Sequence, residues 1–159
     1  MAGAAARDDE RWMNAALDEA RCAVDEGEVP VGAVVVLDGR VVGRGHNRTE
    51  SLGDPTAHAE VLAIGAACRS LGVPRLTGAT IYVTMEPCSM CAGAIVLARV
   101  RRLVYGCRDP KAGFAGSLGN IVDDPSLNHR ASVTSGVLDD QCAALVSAFF
   151  ETLRRRTRT

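Results

Sequence analysis

Two short stretches hold the side chains best placed to do chemistry. In "DPTAHAEVLAIGAACRSLG", residues 54–72, His58 and Glu60 open an otherwise apolar helical pattern. Thirty residues further on, "EPCSMC" places Cys88 and Cys91 three apart, so that on a helix they share one face and can grip one metal ion. Each stretch alone has a plainer reading. An acidic residue at a helix start answers the helix dipole, and a lone C-x-x-C also occurs in redox pairs and structural zinc sites. Together they offer one imidazole and two thiolates, a soft donor set suited to zinc. Three protein ligands leave a fourth position for water, the mark of a catalytic site, and zinc lowers the pKa of such a water to about 7. Glu60, beside a ligand without being one, suits the task of carrying its proton. The reaction that fits this equipment is hydrolytic deamination of an amidine-like ring carbon.

The surrounding elements have to bring these stretches together. Met13, Leu17, Ala20 and Val24 recur at helical spacing, and Gly27 stops the helix predicted over 9–26. "VGAVVVLDGRVVGRGH" predicts a hairpin turning at Asp38-Gly39. A polar loop, 47–57, leads to a helix over about 57–71, closed by Gly72 and Pro74. "ATIYVT" is apolar throughout, as a central strand is, and "CSMCAGAIVLA" follows as a helix. "RRLVYG" is the next strand, 106–120 a Gly-rich loop, "SVTSGV" a last strand and "DDQCAALVSAFFETLRRR" a closing amphipathic helix. This order predicts an α/β fold, a mixed five-stranded sheet with helices on both faces. His58 and the cysteine pair both fall at helix starts just after loops, where such folds gather reactive groups.

Composition bounds the remaining choices. A chain of 159 residues, 47% hydrophobic and 23% charged, matches one soluble globular domain. It has no apolar run long enough to span a membrane, and "MAGAAARDDE" lacks the apolar segment of a signal peptide, so a cytoplasmic location is expected. The net charge of −1 is uneven: residues 1–28 hold eight acids against three arginines, whereas the end, "LRRRTRT", is basic. The layout expected is a flexible lead over 1–7, one domain over 8–153 and a basic tail over 154–159. Six cysteines in a chain of this kind point to reduced thiols with a metal, and Cys22, Cys68, Cys107 and Cys142 read as small core residues.

The full pattern H-x-E…P-C-x-x-C, Pro87 included, is the signature of zinc nucleobase deaminases. Outside it, "EVPVGAV", "DPTAHAE", "YVTMEPCSMCAGA", "GCRDPKAGFAGSL", "NHR" and "QCAALVSAFF" run in order from about residue 28 to 150. In these words the chain closely resembles the bacterial tRNA-specific adenosine deaminases. The resemblance implies a three-layer α/β/α, cytidine-deaminase-like fold and conversion of adenosine to inosine at the wobble position of a tRNA anticodon. It implies one Zn2+ per subunit on His58, Cys88 and Cys91, proton transfer by Glu60, a base contact from Asn47, and a homodimer. Two features depart from the family: "HNRTE" has no proline after "NR", and "ETLRRRTRT" matches no fixed pattern.

A base inside a stack cannot reach a buried metal, so it must be extruded, and an unpaired anticodon loop makes that cheap. Val31 is a candidate apolar wall of the receiving pocket. Asn47 can donate and accept along a base edge, although its plainer reading is a turn asparagine. In "CRDPKAG", Arg108 and Lys111 suit phosphates and Asp109 suits a 2′-hydroxyl; a solvated turn is the alternative. Lys111 is the single lysine beside seventeen arginines. Of Phe149 and Phe150, one packs inward and Phe149 is the candidate for stacking on a base. Glu86 is expected to anchor the zinc loop, His129 to lie at the surface, and His46 has no assigned role. The rival function is a deaminase of free guanine or cytosine, which would share the metal and the proton carrier.

Overall fold

The computed structural model describes residues 2–158. Helix α1 (Ala2–Asp25) leads into a hairpin of β1 (Gly32–Leu37) and β2 (Arg40–His46). A four-residue turn of helix, α2 (Thr49–Leu52), precedes α3 (Ala59–Leu71). Then come β3 (Thr80–Met85), α4 (Ser89–Leu97), β4 (Arg102–Cys107), β5 (Ser132–Ser135) and α5 (Asp139–Thr157). The strands form one mixed sheet in the order β2-β1-β3-β4-β5, antiparallel across β2-β1-β3 and parallel across β3-β4-β5. The five-stranded α/β architecture expected from the sequence is therefore the one observed.

Strand periodicity divides the core into two layers. Ala33, Val35, Ile81, Val83, Leu103 and Tyr105 point to one face, where Ala59, Ala63 and Ala67 of α3 and Ala92 and Ile95 of α4 cover them. The intervening Val34, Val36, Tyr82 and Val104 face the other way, onto Met13, Ala16 and Leu17 of α1 and Cys142 of α5. Burial on both faces is why β3 lacks an alternating pattern. Asp38 and Gly39 both take positive φ, as the tight hairpin turn between β1 and β2 requires.

Element boundaries differ from expectation in three places. α1 begins at Ala2, ahead of residue 9, because the alanine-rich start is a strong helix former without hydrophobic periodicity. α5 ends at Thr157, one residue past the expected closing helix, so most of the basic tail expected over 154–159 is helical. α2 interrupts what the polar sequence of 47–57 presents as loop. Among the cysteines, Cys107 and Cys142 are buried, Cys68 is half-buried and Cys22 is exposed, so the expectation of a core role does not hold for Cys22.

The placement of α3 decides the site. A Cβ on Gly45 of β2 would come within 2.6 Å of the Ala59 carbonyl and 2.7 Å of the Ala63 nitrogen. One on Gly43 would meet the Ala63 carbonyl and the Ala67 nitrogen. α3 thus lies directly on the β2 backbone, an approach only glycine allows. Its first turn is held at the end of the sheet where β2 delivers His46 and Asn47.

Candidate active site

His58 and Cys88 occupy equivalent positions, each the residue before the first turn of its helix, α3 and α4. Both have extended backbones, and neither side chain caps its own helix, which leaves imidazole and thiol directed elsewhere. Cys91 lies one turn into α4 and is buried. The His58 Nδ1 stands 3.6 Å from the Cys88 Sγ and 3.5 Å from the Cys91 Sγ. The three ligand atoms lie within 4.8 Å of one another, and among the described residues this is the one group of its kind able to hold a metal ion.

The electrostatics follow from that crowding. The Cys88 thiol is held down to about 3, first by the hydrogen bond it accepts from the Cys91 thiol and next by the one it accepts from His58. Cys91 is pushed up because it keeps the shared proton and is buried. The hydrogen bond to Cys88 raises His58. The two helix N-termini also favour negative charge at this point. Glu60 is 4% exposed, and burial pushes its carboxyl up to about 7. A proton on that group is mobile near neutral pH.

His58, Glu60 and Cys88 line a cleft of about 300 Å³. Its walls include Val29, Val31, Asn47, Thr49, Met85, Glu86, Asp109 and Ala112, with His58, Ala59, Glu60 and Cys88 below. Val31, Asn47 and Asp109 are therefore gathered around the cluster. Asn47 also makes the local turn considered above, its Oδ1 accepting from the Thr49 amide at 3.4 Å. The Oδ1 of Asp109 accepts from the amides of Lys111 and Ala112 at 3.1 and 3.2 Å, closing the turn on which Lys111 is exposed. Arg108 is exposed on the same loop and does not line the cleft.

Phe149 lies elsewhere, in a hollow between the end of α1 and α5 lined also by Val24, Leu145 and Leu153. It packs edge-on against Phe150 with ring centroids 5.5 Å apart. His129 is half-buried, with Nε2 2.7 Å from the Val100 carbonyl. Sequence reasoning missed Thr49, Met85 and Ala112 as cleft walls. A signal was present for Met85, which ends a strand pointing at the site.

A sequence model of the MafB19-like deaminase family matches residues 7–154. The tRNA-specific adenosine deaminase of Bacillus subtilis strain 168 is 49% identical over 150 residues, which cover 94% of this chain and 93% of that protein. This chain belongs to the tRNA-specific adenosine deaminases. The fold agrees. A solved structure from studies of A-to-I editing by tRNA:A34 deaminases at the wobble position of transfer RNA superposes with a TM-score of 0.82 and 50% identity, covering 85% of this chain and 98% of its own. A guanine deaminase from Nitrosomonas europaea gives a TM-score of 0.77 at 26% identity, covering 88% of this chain and 83% of its own. The fold is thus shared with a guanine deaminase at lower identity.

Proposed function

We propose that the chain is a zinc-dependent hydrolase that converts adenosine to inosine at the wobble position of a tRNA anticodon. The observation that carries the reading is the buried Glu60 carboxyl beside the His58, Cys88 and Cys91 donor set, at one base-sized cleft. The donors suit zinc in kind and spacing. Bonds of about 2.0–2.1 Å to nitrogen and about 2.3 Å to sulfur, meeting at a tetrahedral angle, give an N···S edge of about 3.5–3.6 Å. The two edges here are 3.6 and 3.5 Å. Zinc, when bound, supplies the Lewis acid that makes water nucleophilic at neutral pH.

The chain's own residues account for the rest. His58, Cys88 and Cys91 hold the metal. Glu60 takes a proton from the attacking water and delivers it to the ring nitrogen beside the reacting carbon, then takes the proton left on the newly attached hydroxyl and gives it to the amino group, which departs as ammonia. Adenosine and water become inosine and ammonia, and the carboxylate returns to its starting state. Val31 packs on the base, while Asn47 meets its edge. Arg108 and Lys111 meet phosphates and Asp109 a 2′-hydroxyl, with Phe149 contacting RNA beyond the cleft. Among the described residues no helix is long and apolar enough to cross a membrane. Acting on tRNA, the chain would work in the cytoplasm. Two copies pair as a homodimer, each with its own zinc.

The test is inosine formation in an anticodon stem-loop carrying adenosine at the wobble position, with free guanine and cytosine assayed in parallel for ammonia. Inosine from the stem-loop is expected, with turnover lost in Glu60→Ala while one zinc per chain remains by elemental analysis. Ammonia from a free base, with the stem-loop untouched, would instead make the chain a small-molecule deaminase. Zinc lost together with turnover in Glu60→Ala would make Glu60 a ligand.

A further inference from the structure

The loop from Arg108 to Arg130 has no repeating hydrogen-bond ladder, yet its part nearest the cleft is ordered by one side chain. Glu86, at the end of β3, is 3% exposed. Its Oε1 accepts from the Asp109 amide at 3.1 Å and from the Ser117 hydroxyl. Its Oε2 accepts from the amides of Ala115 and Ser117 at 3.1 and 3.0 Å. Four donors from one loop therefore converge on one carboxylate. The loop reaches it because position 113 is glycine: a Cβ there would fall against the Glu86 carboxylate and the Asp109 carbonyl.

We infer that Glu86 is a positioning residue for the substrate, fixing the 109–117 segment so that Asp109 and Ala112 form the cleft wall. The sequence suggested an anchor for the metal-binding loop, but all four donors come from the opposite side. The metal-side loop is joined to this segment by backbone alone, through the Phe114 amide donating to the Pro87 carbonyl at 2.8 Å and the bridge between Cys88 and Gly113. The inference rests on the RNA reading for its substrate and on geometry for the loop.

Glu86→Gln removes a specific part of this arrangement. An amide keeps one oxygen and turns the other acceptor into a donor. The Ser117 hydroxyl can rotate to accept from an amide at the Oε1 position, whereas the Asp109 N–H cannot. The orientation of least cost leaves the Asp109 amide facing another N–H, and the loop releases Asp109 first.

The experiment uses the full-length zinc enzyme with Glu86→Gln and, as a gentler change, Ser117→Ala, which removes one of the four donors. Peptide-level amide exchange over 109–117 is measured beside kcat, KM and zinc content on the stem-loop. In Glu86→Gln exchange should quicken in this segment, and KM should rise about tenfold, the equivalent of about 1.4 kcal/mol. kcat and zinc content should stay near the parent's. Ser117→Ala should shift KM in the same direction by less, and it alone decides if Glu86→Gln does not fold. Unchanged exchange and KM in the folded variants would overturn the inference. So would a fall in kcat with loss of zinc at constant KM, which would return Glu86 to the metal loop. If the parent enzyme left the stem-loop untouched, the RNA reading would fail, and the exchange measurement alone would uphold or overturn the role of Glu86.

Discussion

Three buried carboxylates stand at or beside the cleft, and their partners set them apart. Burial would raise Glu28, but the Ser51 hydroxyl, the amides of Ser51 and Glu50, and the charge of Arg48 outweigh it and hold it low. Burial would raise Glu86 too, and the donors of Ser117, Asp109 and Ala115 again win. Glu60 lacks such a set, so burial dominates and its carboxyl rises. Glu28 and Glu86 are therefore held as anions that order backbone, and Glu60 is the one that burial leaves raised, as the proton carrier proposed above would be. Lys111 is separable from this framework, because its amide closes the Asp109 turn while its side chain is exposed. Lys111→Ala should preserve the turn and remove one phosphate contact. Stem-loop affinity measured against salt should then weaken, with a log–log slope shallower by about one unit or slightly less. An unchanged slope would leave Lys111 as a solvated turn residue.

At the scale of elements, His46 ties the end of β2 to α1. Its Nδ1 lies 2.9 Å from the Glu19 Oε2 and its Nε2 3.0 Å from the Glu26 Oε2, with Arg48 3.5 Å from the same Glu26 oxygen. Burial alone would lower His46, but the two carboxylates outweigh it and raise it above 6.5. A raised folded-state value means the protonated bridge stabilises the fold fully below pH 6.5. That contribution is lost as pH rises through the higher folded value. His46→Gln should therefore cost on the order of 1 kcal/mol near pH 6 and less near pH 8, by denaturant unfolding at several pH values. A constant difference across that range would refute a charged bridge. This tie was not legible in the sequence, because Glu19, Glu26 and His46 lie on different elements and share no period. The same reason hid α2 and the ordered 109–117 loop, which depend on Glu28 and Glu86 reaching 22 to 31 residues along the chain. The gathering of His58, Cys88 and Cys91 was legible because each half is local: H-x-E and C-x-x-C each fall at the first turn of a helix. The strands themselves were legible, because β1, β3 and β4 each carry an apolar run and β2 follows a tight hairpin turn, whereas their order in the sheet, set by pairings between distant strands, was not. Phe149 was selected for its residue type, and its position away from the cleft comes from the crossing of α1 and α5.

Over the whole molecule, the two faces of the sheet are covered unequally. On one side α1 is pinned by Asp9, which accepts from the Arg102 guanidinium at 2.8 and 2.7 Å and from the Tyr82 hydroxyl at 2.9 Å. On the other side the outward surface of α4 stays apolar. Met90, Gly93, Ala94 and Leu97 follow one another at helical spacing, and Leu97 is 76% exposed. Small residues at 93 and 94 let another helix approach closely, and Leu97 then has a surface to bury against. A two-fold pair would use this stripe twice, burying both copies of Leu97 at about 1.5–3 kcal/mol each. Leu97→Asp would instead bring two carboxylates onto that surface, at a cost without compensating hydrogen bonds. Sedimentation equilibrium should give twice the 16.7 kDa chain mass for the parent and the single chain mass for Leu97→Asp at the same concentration. Because Leu97 ends α4 whereas Cys88 and Cys91 stand at its start, the separated chain should keep the zinc proposed for them. A variant that stayed at twice the chain mass would exclude the α4 stripe as the pairing surface, and a parent at 16.7 kDa would exclude the homodimer itself.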